Sequence, residues 1–276
     1  MKRARTERPE NFEVDLSHPL MRGAVLLGLG QAHHSIRYRD ESAKGNHGVL
    51  TNMDPATDWL WEPKLGRRVL DFDGSNDYVE IPSPGNVLDG KLVTFACWFN
   101  VPSGTATDYP RFIDRIYSGQ FAFYWTTSTT IFAAALNTTG GAQDISNLGV
   151  SVPIGSWHHV VYVYNGADVL LYLDGLLKST TSFPDGVLAN STAIVRIGQR
   201  VDAGTARNFL GIMADTCLWS RALSAAEINM LADPSNVMLS GAIREPRPRR
   251  SFVGQVAAKP WLYAHRRSSR VIGVGI

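Results

Sequence analysis

The amino-acid sequence predicts an all-β sandwich with one short helix towards its C-terminal side and an extended arm at each end. Three observations carry this expectation. Short runs rich in Val, Phe, Tyr and Trp recur about ten times, clusters of Gly, Pro, Asn and Asp punctuate them, and a single segment carries the chemistry that starts a helix.

The runs fall, in order, at 69–72, 78–81, 93–101, 121–125, 130–136, 158–164, 169–173, 176–179, 193–197 and 210–219. The run at 93–101 is the clearest, because Val93, Phe95, Cys97, Phe99 and Val101 share one face while Thr94, Ala96, Trp98 and Asn100 share the other. Both faces are fairly apolar, so a central strand is expected. Leu173-Asp174-Gly175-Leu176 places Asp-Gly between two apolar runs, which supplies the positive φ angles of a two-residue hairpin turn. The helix begins after Ser224, whose hydroxyl caps it while Glu227 reaches back to complete a capping box. It runs over 225–232 and stops at Asp233-Pro234. Beyond it the prolines and arginines of 244–250 favour an extended arm. The expected organisation is an arm over 1–18, one domain over 19–235 and a second arm over 236–276.

Composition narrows the class further. The chain has 276 residues, 44% of them hydrophobic and 19% charged, enough for one sizeable core. Its longest strongly apolar run, 24–29, is far short of the roughly 20 residues of a membrane helix, so no membrane insertion is expected. Cys97 and Cys217 are too few for a disulfide scaffold and lack zinc spacing; they are expected reduced and buried. Residues 1–20 contain no apolar stretch of the about 7–15 residues that an export leader uses, which leads to the expectation of cytoplasmic synthesis. Charge is unevenly spread: residues 241–276 hold eight basic residues and one acid, a net of +7 in a chain whose total is +2. Such asymmetry reads as an interaction arm.

Three stretches, taken in order, resemble one family. They are Leu70-Asp71-Phe72-Asp73-Gly74-Ser75-Asn76-Asp77-Tyr78-Val79; Gly155-Ser156-Trp157-His158-His159-Val160 followed by Leu171-Tyr172-Leu173-Asp174-Gly175; and Trp219-Ser220-Arg221-Ala222-Leu223-Ser224-Ala225-Ala226-Glu227-Ile228. Together they resemble the laminin-G-like, concanavalin A-like jelly-roll family, in its phage and bacterial form, which also embraces pentraxins and lectin-like modules. The resemblance implies a jelly roll over about 19–234. It does not by itself imply a function.

Some members with this fold hydrolyse glycosides, which needs two carboxylates flanking one bond. Asp71 and Asp73 share a strand face but lead into the Gly74 turn, and His158 and His159 are adjacent and so face opposite ways. No nucleophile elbow, phosphate loop or zinc signature occurs, so no enzyme is expected. The resemblance also implies calcium as the possible ion. Relatives carry an acid in the rim loop where this chain has Ser118, Gly119 and Gln120, and Asp202 alone makes a poor cage, so the expected ligands are Asp40, Gly74 and Asp215 on the convex side. For a glycan, the same resemblance directs attention to Tyr109, Arg115, Tyr117 and Trp125 near the strand ends. The C-terminal arm, through Arg247, Arg249, Arg250, Phe252, Trp261 and Tyr263, is expected to anchor the chain on other coat proteins. Nucleic acid is disfavoured because no groove-reading helix or aromatic-basic platform accompanies the arginines.

The resulting expectation is a non-catalytic lectin-like protein on a phage virion surface, as head decoration or tail component, with a homo-oligomer and coat proteins as partners. A cellular or secreted carbohydrate-binding adhesion module is the alternative, and a glycoside hydrolase the second.

Overall fold

The computed structural model describes residues 13–30, 35–102, 108–117, 119–126, 130–202, 207–233 and 243–244. All described residues fall in one compact unit, and the arm residues Arg247, Arg249, Arg250, Phe252, Trp261 and Tyr263 lie outside the described residues. In chain order the strands are β1 (Glu13–Val14), β2 (Ala24–Gly28), β3 (Arg37–Tyr38), β4 (Gly48–Thr51), β5 (Trp59–Glu62), β6 (Arg67–Asp73), β7 (Tyr78–Ile81), β8 (Val93–Asn100) and β9 (Arg111–Arg115). They continue with β10 (Phe121–Thr126), β11 (Ile131–Thr138), β12 (Gly141–Ile145), β13 (His158–Tyr164), β14 (Asp168–Leu173), β15 (Leu176–Ser182), β16 (Val195–Ile197), β17 (Leu210–Trp219) and β18 (Ile243–Arg244). The helix α1 (Ala225–Leu231) follows β17.

Two antiparallel sheets make the jelly roll. One runs β12-β11-β10-β9-β16-β7-β4-β3, and the other β15-β14-β13-β8-β17-β6-β5 with β2 also paired to β17. The neighbours in each sheet come from distant parts of the chain, which is why tertiary pairing rather than local propensity sets the order. A further two-residue pair joins β1 to β18, so 243–244 belong to the compact unit although the sequence assigns them to the arm.

The alternation in β8 works as expected: Val93, Phe95, Cys97, Phe99 and Val101 enter the core between the sheets, and β8 lies centrally between β13 and β17. The core is aromatic. Phe123 stacks on Tyr162 at 4.6 Å and Phe112 lies against Trp125 at 4.9 Å, each pair bridging positions that sequence distance separates. The Tyr162 hydroxyl donates to the Tyr124 carbonyl at 3.0 Å and so ties the two sheets together.

A second apolar layer covers the outer face of β8, β13 and β17. Cys217, Trp219 and Val161 pack there beneath Ile228 and Leu231 of α1. The capping box forms as read, with Ser224 accepting from the Glu227 N–H and Glu227 reaching back to the Ser224 N–H. At the β14–β15 hairpin Asp174 and Gly175 have φ of 52° and 78°, the positive angles that the Asp-Gly turn requires.

Eight strands escape the sequence reading: β2, β4, β5, β9, β12 and the two-residue strands β1, β3 and β18. Their reasons differ. β3, β4 and β5 are short pieces in a segment without clean alternation, and β12 is mostly exposed, while β9 reads Arg-Phe-Ile-Asp-Arg and is buried throughout. Nothing in a period-two pattern anticipates buried charges at three of five positions.

Candidate functional site

The outer face of β9 to β12 carries the most chemically loaded cavity among the described residues. Register builds its floor: Arg111 stands opposite Tyr124, which stands opposite Ala133, while a parallel row runs Asp114, Ala122, Ala135, Asp144. Alanine at 122, 133 and 135 leaves room above the sheet that larger residues would fill. Tyr117, Tyr109, Arg200 and Arg207 rise around that space from the flanking loops. The result is a pocket of about 270 Å³ lined by Tyr109, Arg111, Tyr117, Tyr124, Asp144, Ser146, Arg200 and Arg207.

Arg111 is the buried base of the pocket. Its Nε donates to Asp114 at 3.1 Å, its Nη1 donates to the Tyr109 carbonyl at 3.0 Å, and its guanidinium lies 4.1 Å above the Tyr124 ring. Burial pushes the Asp114 carboxyl up to about 6 even though Arg111 beside it pulls the other way. Loss of hydration therefore outweighs the pairing attraction here.

Both Tyr117 and Tyr124 donate their hydroxyls to Asp144. Burial, then the adjacent carboxylate, holds each phenol above its ordinary value, so both stay protonated donors. Arg200 makes two contacts of 2.6 Å to Asp202 and lies 4.7 Å above Tyr117; that pairing keeps the Asp202 carboxyl below its usual range. Arg207 stacks 4.5 Å above Tyr109. Tyr109 itself is 39% exposed and sits at φ 54°, an uncommon backbone angle for a bulky residue.

Tyr109 and Tyr117 thus line the cavity. Arg115 and Trp125, the other two expected ligand contacts, do not line it. Trp125 is 1% exposed and points into the inter-sheet core between Phe112 and Phe209, because odd positions of β10 face inward. Arg115 is fully buried and donates to the carbonyls of Ala193, Gly85 and Ser191 and to Gln120, at 2.6–3.2 Å. Its donors fasten loops and have none to spare for a ligand. Sequence reasoning missed Arg111, Tyr124, Asp144, Arg200 and Arg207. The available signal was the charge cluster Arg111, Asp114, Arg115 around Phe112 and Ile113, since charges beside core residues must find partners.

The three residues expected to hold calcium are engaged in other ways in the fold. Asp40 accepts from the Leu27, Ser42 and Asn46 N–H groups and from the Ser42 hydroxyl at 2.7–2.9 Å, so it organises a loop. Asp215 lies at a bulge in β17 with φ 49° and pairs with buried Arg67. Gly74 follows the Asp73–Leu210 pair, five residues along β17 from Asp215, on the order of 15 Å away at strand rise. Among the described residues no group of three His, Cys, Asp or Glu is placed to hold a metal.

The two histidines diverge as their adjacency requires. His159 is buried against Trp98, and burial pushes its imidazole down to about 4. His158 bridges the Ser156 hydroxyl and Asp174, each at 2.8 Å, while Asp174 also accepts the His159 N–H at 2.9 Å. These contacts clasp the Asp-Gly hairpin to β13.

The fold and cavity together define a lectin-type jelly roll carrying an aromatic and cationic surface pocket. The chain belongs to the concanavalin A-like lectin/glucanases superfamily, whose profile matches residues 73–229. Human Pentraxin-4 is 22% identical over 212 residues, 70% of this chain and 44% of that protein, so the chain spans less than half of this curated relative. Among solved structures, Domain 4 of the extracellular arabinanase AbnA from Geobacillus stearothermophilus, in complex with arabinotriose, is similar at 16% identity and TM-score 0.50, over 67% of this chain and 88% of that one. A botulinum neurotoxin type C structure, whose cell entry is described as dependent upon interaction with two ganglioside molecules, is similar at 15% identity and TM-score 0.56, over 77% of this chain and 51% of that one.

Proposed function

We propose that this protein is a non-catalytic glycan-binding module whose ligand occupies the pocket between Tyr109, Tyr117, Tyr124 and Arg207. The observation that carries the reading is the pocket's make-up: the exposed ring of Tyr109 and the partly exposed ring of Tyr117 for the apolar faces of a sugar, above a buried Tyr124 and beside arginine donors and one aspartate acceptor for hydroxyl groups. The arabinotriose and ganglioside named for the similar structures lend it support. Hydrolysis is less well supported, since it calls for two carboxyls presented to one bond. Asp144 is engaged by two tyrosines and Asp114 lies buried beneath the pocket beside Arg111.

A glycan array followed by titration of the best hit tests this. Tyr109→Ala is expected to weaken binding about tenfold or more, equivalent to about 1.4 kcal/mol, while leaving the melting midpoint close to the parent's. Absence of any saturable glycan, or equal affinity in the variant, overturns it.

We further infer that the module is displayed on a larger particle, with a phage virion surface as the favoured setting and secreted adhesion as the alternative. The basic and aromatic composition of 241–276 supports an anchoring role. Deleting 247–276 is expected to leave a folded domain that no longer joins particles or oligomers; normal incorporation refutes the anchor.

A further inference from the structure

The charges around the pocket are not equally engaged. Arg111 is neutralised by Asp114 and Arg200 by Asp202. Arg207 has no acidic partner among the described residues: its Nη1 donates to the Asp108 carbonyl at 3.3 Å, its plane rests on Tyr109, and its buried Nε has no hydrogen-bond partner. The buried Nε is closed to a ligand, so the guanidinium can meet one only through its outer N–H groups, and a guanidinium without an acidic partner favours an anion there.

The stacked partner adds a second, independent observation. Tyr109 keeps 39% of its surface exposed while holding a positive φ of 54°. That conformation carries a bulky ring out beside Arg207, and backbone strain of this kind concentrates at ligand sites. Asp144 also lines the pocket, each of its oxygens accepting one tyrosine hydroxyl and keeping a lone pair for a further donor. The pocket therefore has a cationic side suited to a carboxylate and an anionic side suited to hydroxyl groups. Its volume of about 270 Å³ is at the small end for ligand pockets, matching one sugar residue rather than a long chain segment.

We propose that the pocket selects an acidic sugar, a uronic or sialic acid residue within a glycan, through a carboxylate paired to Arg207. The proposal rests on the glycan-binding reading and specifies its ligand class. A neutral sugar of the same shape leaves the Arg207 charge without a counter-ion, which is how a charged site discriminates against an analogue lacking the matching group.

Paired probes test it: 3′-sialyllactose against lactose, and a trigalacturonate against its carboxyl-reduced counterpart, each titrated calorimetrically into the full chain and into Arg207→Gln. The expected result is at least tenfold preference for the acidic member of one pair, weakened by raising salt. In Arg207→Gln, with a melting midpoint near that of the parent, the ratio is expected to fall towards one. Preference for neither member while both bind overturns the acidic-sugar proposal and leaves the glycan pocket standing. Persistence of the preference in Arg207→Gln overturns the role of Arg207. No binding of these probes, together with a blank glycan array, removes the pocket reading and this proposal with it.

Discussion

Replacing Arg111 by Met tests the base of the pocket. The parent residue is 1% exposed and its partner Asp114 is fully buried, so the variant strands a carboxylate in a place that water does not reach. Breaking such a pair by removing one member costs about 3–5 kcal/mol. For a domain of this size that corresponds to a fall of roughly 6–20 °C in melting midpoint. The deficit also depends on pH. The folded Asp114 carboxyl, at about 6, lies above its ordinary 3.8, so its contribution to stability is full below about pH 4 and is lost as pH rises through 6. Arg111 is what restrains that upward shift, and without it the carboxyl holds its proton to still higher pH. Relative to the parent, Arg111→Met is therefore expected to be strongly destabilised at pH 7.5 and much less so at pH 4. Urea unfolding followed by tryptophan fluorescence at pH 4, 6 and 7.5 measures this, and adding Asp114→Asn is expected to recover much of the loss at pH 7.5. A deficit below about 1 kcal/mol at pH 7.5, or one that does not change with pH, refutes the reasoning.

Arg67→Met strands Asp215 in the same way and is expected to cost about 3–5 kcal/mol, while the parent's melting midpoint stays unchanged by chelator; a calcium-dependent midpoint returns Asp215 to the role of metal ligand. His159, held near 4 against an ordinary 6.5, is neutral in the fold and protonates readily only when unfolded, so its part in stability declines as pH falls from 6.5 to 4. Between pH 7.5 and 4 the parent is expected to lose roughly 3 kcal/mol more than His159→Phe in urea titrations, and parallel profiles refute this. Cys97 enters the inter-sheet core and Cys217 the layer under α1, both fully buried, so thiol reagents are expected to label neither until denaturant is added. Fast labelling in the native state contradicts that placement.

Local signals in the sequence determined the sandwich class, the central strand β8, the Asp-Gly hairpin and the capped helix. Each depends on neighbours within a few residues: alternation places Phe95 and Phe99 on one face, positive φ selects Asp174-Gly175, and Ser224 and Glu227 satisfy each other across one turn. Tyr109 and Tyr117 were legible as ligand candidates through the family resemblance. Tertiary structure alone decided the rest of the pocket, because its residues come from β9, β10, β12 and four connecting segments, brought side by side by strand pairing. It also decided which arginines are structural. Arg115 and Arg111 sit in one strand four residues apart, yet one fastens loop carbonyls and the other floors the cavity, a difference fixed by what packs against each. Asp215 is the same case: its sequence position suggests an oxygen ligand, whereas the bulge in β17 delivers it to Arg67. The partners of a buried charge are long-range contacts, and composition and periodicity carry no record of them.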